Sequence, residues 1–277
     1  MVFKTITNNI RLCLMALMVL VNLVIYFIFP KIISNKVFMN LLSSFLSLLN
    51  NDVIIHGNEN EFSNNKVIIM ANHYHGITDC SLIYKMYYKH NKNNLYTVVK
   101  SNIVGDKTDG SYLLNMLTFA KDYIIKSLNF IPYIRGDRED GSNVKNLITE
   151  SLNNESNVLI FPEGTTTRSG TPINFKTGIF RLAVEKQFSI LPITIIYDKD
   201  VGKKDDNTID NTNIFDNTAN IYIHDMIDSN TSDFYKTNDF TGLKNKTYDV
   251  ICSPFNVKVK KEEKKEEENN LLNDTSK

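Results

Sequence analysis

The chain has no tryptophan, only 3 cysteines and no net charge, its 31 lysines and arginines matching 31 aspartates and glutamates. Without a charge excess nothing steers the molecule as a whole toward nucleic acid, so any anion must be met by local basic groups. Cys13, Cys80 and Cys252 are scattered and odd in number. They give neither a disulfide framework nor a zinc-ligand spacing, and they fit a reducing compartment. The missing tryptophan accompanies an abundance of Asn, Lys and Ile and reflects base composition rather than chemistry. No internal repeat is present. At 277 residues the chain is long enough for one large domain or two small ones.

What the sequence does have is a long apolar run near its start. From Leu12 to Phe29 it reads LCLMALMVLVNLVIYFIF, interrupted only by Asn22. As a helix that run is roughly 27 Å long, enough to cross a hydrocarbon core. It ends in Ile-Tyr-Phe-Ile-Phe-Pro, a poor cleavage site, which favours a permanent anchor over a signal peptide. Ile33, Val37, Phe38, Leu41, Leu42, Phe45 and Leu48 then recur at helical spacing, an amphipathic stretch suited to lie along the interface. Residues 1–50 are therefore expected to be a transmembrane or monotopic anchor. Lysines and arginines flank both ends (Lys4 and Arg11, Lys31 and Lys36), so charge leaves the orientation open.

Beyond residue 50, short apolar runs alternate with helical patterns. Strands are expected at 67–71, 95–99, 130–134, 158–161, 190–197 and 221–224, and helices at 79–90, 111–128, 142–152 and 175–187. This alternation predicts an α/β domain over 51–257, a mostly parallel central sheet flanked by helices. Residues 198–220 read as a surface loop. The tail, 258–277, carries KVKKEEKKEEE and cannot build a core.

In a parallel sheet, reactive groups collect where strands end and helices begin. One such junction is Ala71-Asn-His-Tyr-His-Gly-Ile-Thr-Asp-Cys80. It delivers His73 and His75 beside a turn at Gly76. Thr78 or Asp79 then starts a helix, and either is a candidate cap. Asp79 can also hold a histidine in the tautomer that leaves its other nitrogen free as a base. A metal reading, His73 and His75 with Asp79 or Cys80, is physically allowed, but no further ligand cluster follows. Cys80 reads as a small apolar side chain rather than a nucleophile. The second junction is Phe161-Pro-Glu-Gly-Thr-Thr-Thr-Arg168, with Lys176 eight residues further on, at the opening of another helix.

Together and in this order, these segments resemble the PlsC-like glycerolipid acyltransferase family, also called the 1-acyl-glycerol-3-phosphate acyltransferase family. Asn72-His73 through Asp79 is similar to the first family block, and FIPYIR ending at Arg135 to the second. Phe161-Pro-Glu-Gly-Thr165 matches the third in full, and Leu191-Pro-Ile-Thr194 resembles the fourth. The stretch FPEGTTTRSGTPINFKTGIF is closest to the lysophospholipid acyltransferase branch. The usual first block has four residues between His and Asp, whereas five separate His73 from Asp79 and three separate His75 from it. The preceding Asn favours His73 as the base, with His75 the alternative. Where many lysophosphatidate enzymes have Arg after Pro-Glu-Gly-Thr, this chain has Thr166, which favours a phosphodiester headgroup.

The resemblance implies direct acyl transfer from acyl-CoA to a lysophosphatidate or lysophospholipid, in glycerophospholipid synthesis or remodelling. His73 and Asp79 are the expected catalytic pair. Glu163, Gly164 and Thr165 are expected to shape the acceptor pocket, and Arg135, with Arg168 or Lys176, to hold phosphate. Backbone N–H groups near Gly164 are candidates for the oxyanion. No metal or cofactor is implied beyond acyl-CoA as co-substrate. The partners implied are acyl-CoA, the lysolipid acceptor and the bilayer, without nucleic acid. The enzyme is expected at a membrane with its catalytic domain facing the cytosol. Rival readings are a membrane-bound acyl-CoA or phospholipid hydrolase and a glycerol-3-phosphate acyltransferase.

Overall fold

The structure is a computed structural model, and it describes residues 52–74, 76–100, 129–134, 136, 138–167, 171–198 and 218–255. The expected anchor, the expected helix at 111–128 and the charged tail lie outside these residues, as do His75, Arg135 and Arg168. Among the described residues no helix is long and apolar enough to cross a membrane.

Among the described residues seven strands form one sheet: β1 (Asp52–Gly57), β2 (Ile68–Ala71), β3 (Leu95–Lys100), β4 (Phe130–Tyr133), β5 (Asn157–Ile160), β6 (Ile190–Tyr197) and β7 (Thr218–Ile223). The helices are α1 (Ile77–His90), α2 (Arg138–Asn153), α3 (Gly178–Lys186), the one-turn α4 (Asp233–Lys236) and α5, residues 240–255. The strand order is β1-β7-β6-β2-β5-β3-β4. β6, β2, β5, β3 and β4 run parallel. β7 pairs antiparallel with β6, and β1 runs parallel to β7. The fold is thus α/β with a mostly parallel sheet between helical layers.

Alternation along the central strands builds the two layers. In β2, Ile69 and Ala71 face the α1 side with Leu82, Ile83 and Tyr87, while Ile68 and Met70 face the α2 and α3 side with Ile148, Leu152 and Phe180. All four β2 residues are fully buried, as a strand covered on both faces requires. α2 presents Val144, Ile148 and Leu152 to the core at four-residue spacing. α3 stops at Gln187, whose left-handed backbone (φ 58°) lets its N–H close on the carbonyls of Ala183 and Val184. Pro192 sits inside β6 without loss to the β2 ladder. Its carbonyl accepts from the His224 N–H on the β7 side, and its nitrogen faces that same side, just before the β6–β7 ladder begins at Ile193.

The topology creates one special place. β2 and β5 are neighbours, yet the chain leaves β2 toward β3 on one side and leaves β5 toward β6 on the other. The two connections leave these adjacent carboxyl ends toward opposite faces of the sheet, α1 on one and α3 on the other, and ligands of open α/β sheets bind outside such ends. Both candidate junctions of the sequence lie there.

Candidate active site

The junction after β2 is short and heavily constrained. β2 ends at Ala71, and the buried Asn72 side chain then extends its pairing with β6. The amide accepts from Ile195 N–H at 2.7 Å and donates to the Ile195 carbonyl at 2.9 Å. This frees the next backbone unit to turn away from the sheet. Gly76, at φ 60°, makes the turn into α1, a conformation that disfavours a side chain. No side chain caps α1, so neither Thr78 nor Asp79 acts as an N-cap.

Asp79 instead points back across the turn. Its carboxylate is wholly buried and lies 3.0 Å from Nδ1 of His73 through Oδ2. The same oxygen accepts the Tyr74 N–H at 2.7 Å, and Oδ1 accepts the Tyr197 hydroxyl at 2.7 Å. With Nδ1–H donated to Asp79, the neutral ring has its lone pair on Nε2. That nitrogen makes no hydrogen bond to any described residue. His73 is 17% exposed, stacks on Phe161 at 4.0 Å between ring centroids, and lines a cavity of about 630 Å³.

The junction after β5 packs against it. Glu163 is 1% exposed, and its carboxylate faces the protein rather than the cavity. Oε1 accepts the His73 backbone N–H at 2.8 Å; Oε2 accepts the Ile173 N–H at 2.9 Å and the Thr167 hydroxyl. The Thr167 N–H closes on the His73 carbonyl at 2.7 Å. Burial pushes the Glu163 carboxyl above the ordinary glutamate value, against the pull of its three donors. Glu163 is therefore the clamp that fixes the backbone of His73.

Gly164 turns at φ 71° and donates its N–H to the Phe161 carbonyl at 3.0 Å, so that N–H is committed to the turn. Thr165 and Thr166 are exposed and line the cavity, and neither forms a hydrogen bond among the described residues. Lys176 precedes α3 rather than opening it, since its N–H bonds the Pro162 carbonyl at 2.8 Å and the helix begins at Gly178.

The cavity runs from His73 between α1, α2 and α3, with a wall of apolar side chains such as Val98, Phe130, Val144, Ile148 and Leu182. Lys100, Lys145 and Lys176 also line it, and among the described residues none of the three forms an ion pair. Lys100 and Lys145 escaped the sequence reading because neither stands in a recognisable motif. Their grouping depends on the β3–β5 pairing and the packing of α2. Tyr197 escaped it too, since a tyrosine ending an apolar strand has the pattern of a core residue. Cys80 also lines the cavity, but burial and then the charge of Asp79 push its thiol far up, so it stays protonated. Among the described residues no group of three His, Cys, Asp or Glu side chains is placed to hold a metal ion.

An imidazole whose second nitrogen has no partner among the described residues, beside an apolar cavity, is an arrangement that an α/β acyl-transfer enzyme can use. Comparison with known proteins gives the same class. A family model described as Acyltransferase matches residues 52–196, just over half of the chain. The chain belongs to that Acyltransferase family. Among solved structures, that of the 1-acyl-sn-glycerophosphate (LPA) acyltransferase PlsC from Thermotoga maritima shares the fold, with a TM-score of 0.60 and 18% identity over 91% of this chain and 95% of that chain. No curated protein matches the chain.

Proposed function

We propose that the enzyme transfers a fatty acyl group from acyl-CoA to the free hydroxyl of lysophosphatidate or a related lysophospholipid, at a membrane and on its cytosolic side. The observation that carries this reading is the orientation of His73, with Nδ1 held by Asp79 and Nε2 on the wall of an apolar cavity rimmed by lysines. Nε2 accepts the proton of the acceptor hydroxyl as its oxygen attacks the thioester carbonyl. Asp79 stabilises the imidazolium that forms. The tetrahedral intermediate collapses with cleavage of the carbon–sulfur bond, and the imidazolium returns its proton to the departing thiolate. No covalent enzyme intermediate and no metal enters this sequence.

Thr165 and Thr166 line the cavity, and their N–H groups are the candidate donors for the oxyanion. Lys100, Lys145 and Lys176 bind phosphate, from CoA or from the acceptor, and Arg135 and Arg168 are further candidates from the sequence. The run from Leu12 to Phe29 supports membrane attachment, and removal of residues 1–50 is expected to move the protein from the membrane pellet to the supernatant. The deciding experiment supplies purified enzyme with radiolabelled acyl-CoA and a panel of acceptors: lysophosphatidate, lysophospholipids with headgroups, and glycerol 3-phosphate. Label in phospholipid supports the proposal. Label only in free fatty acid would make the enzyme a hydrolase, and acylation of glycerol 3-phosphate alone would change the acceptor.

A further inference from the structure

Asp79 is served from an element that neither junction contains. Tyr197 ends β6, two strands away from β5 across β2, and its hydroxyl donates to Oδ1 of Asp79 at 2.7 Å. It is buried and is not among the residues that line the cavity. Two further contacts hold it there. Its ring stacks on Tyr74 at 5.7 Å, and the residue two positions earlier, Ile195, is fastened to Asn72 through both its N–H and its carbonyl. The end of β6 is thereby locked in register with the loop that carries His73. A carboxylate with one oxygen toward the imidazole and the other held by a phenol cannot rotate away from the ring without losing a buried charge-assisted hydrogen bond.

We propose that Tyr197 is a positioning residue for acyl transfer, which fixes the rotamer of Asp79 and tunes how strongly the His73–Asp79 pair holds a proton. This deepens the proposed function and rests on His73 being the base. A donor to the carboxylate stabilises its charged form, so removing that donor raises the proton affinity of the pair. Among the described residues the other titratable groups facing the pair include Tyr74, Glu163 from the junction after β5, and Cys80 from α1. Burial raises Cys80 and Tyr197 far above their ordinary values, so neither ionises near neutral pH.

The test compares full-length enzyme carrying Tyr197→Phe with enzyme carrying 3-fluorotyrosine at position 197, a stronger donor of nearly the same shape. Tyr197→Phe is expected to lower kcat about tenfold, leave KM within about twofold, and move the acid limb of the kcat/KM profile to higher pH. The fluorinated enzyme is expected to move that limb to lower pH. The His73 titration followed by nitrogen-15 NMR should shift in the same directions, a change that a packing role would not produce. An acid limb and a His73 titration unmoved in the fluorinated enzyme would overturn the proposal, even where Tyr197→Phe fails to fold. His73→Ala, assayed in parallel, separates the two readings. If it retains transfer, the proposed base is wrong. If it is inactive while the Tyr197 variants behave as wild type, only the positioning role falls.

Discussion

The junction after β2 and the junction after β5 lie side by side, each buries one carboxylate, and both carboxylates grip His73. Asp79 takes the ring through Nδ1, whereas Glu163 takes the backbone N–H of the same residue. The first contact orients the imidazole ring. The second sets where the imidazole stands. Glu163 also gathers Thr167 and Ile173, so it ties three stretches of chain into one wall. A motif match places both acids in one site, but only their hydrogen-bond partners separate chemistry from scaffold.

That division can be broken by experiment. His73→Ala should lower acyl transfer by about 10³-fold, since a positioned base contributes roughly 10²–10⁴. Asp79→Asn should follow closely. Differential scanning fluorimetry should show His73→Ala melting near wild type, and a large loss of Tm would assign the histidine to the scaffold instead. Glu163→Ala should behave differently, lowering stability and activity together. It leaves a buried hydroxyl and two part-buried backbone N–H groups without an acceptor, at about 1–3 kcal/mol for the buried one and less for the others. Urea unfolding measures this, and wild-type stability would show that the clamp is dispensable.

A finer prediction concerns pH. Burial holds the Glu163 carboxyl above its ordinary value of 4.5, so the folded chain binds its proton more tightly than the unfolded chain. Its share of stability is present below that ordinary value and is lost as pH rises through the folded value. Wild type should therefore lose stability relative to Glu163→Gln as pH climbs from about 4.5. A difference that grows in favour of wild type would reverse the sign. The smallest expected effect is none at all: dialysis against a chelator should leave the rate unchanged, and loss with recovery on zinc would return a metal to the site.

The six strands expected from the sequence are all present, with ends within three residues; β2, β5 and β6 carry runs of buried aliphatics, and β3, β4 and β7 bury fewer. β1 was not expected. Its residues, Asp-Val-Ile-Ile-His-Gly, form an edge strand exposed or half-exposed along its length, so no clean alternation marks it. α5 was missed for a different reason. Its inward row runs Leu243, Thr247, Ile251, and Thr247 is fully buried with its hydroxyl returned to the Leu243 carbonyl. A polar residue satisfied within its own helix interrupts the apolar period without disturbing the helix. The reversed direction of β7 was equally hidden, since strand direction leaves no mark on composition. At the site, residues within motifs were legible as candidates, whereas Lys100, Lys145 and Tyr197 depend on contacts between elements far apart in sequence.

The pairing of β1 with β7 alone has a consequence during synthesis. Asp52 meets Thr218, so among the described strands β1 must wait for roughly 165 further residues before its neighbour exists. At ribosomal speeds of about 5–20 residues per second that delay is roughly 8–33 s. Throughout it, a nascent chain that begins with the apolar run from Leu12 to Phe29 also exposes an unpaired strand bearing Val53, Ile54 and Ile55. β1 joins the sheet only once β7 emerges, so translation pauses or truncations before residue 223 should yield aggregates rather than a smaller folded enzyme.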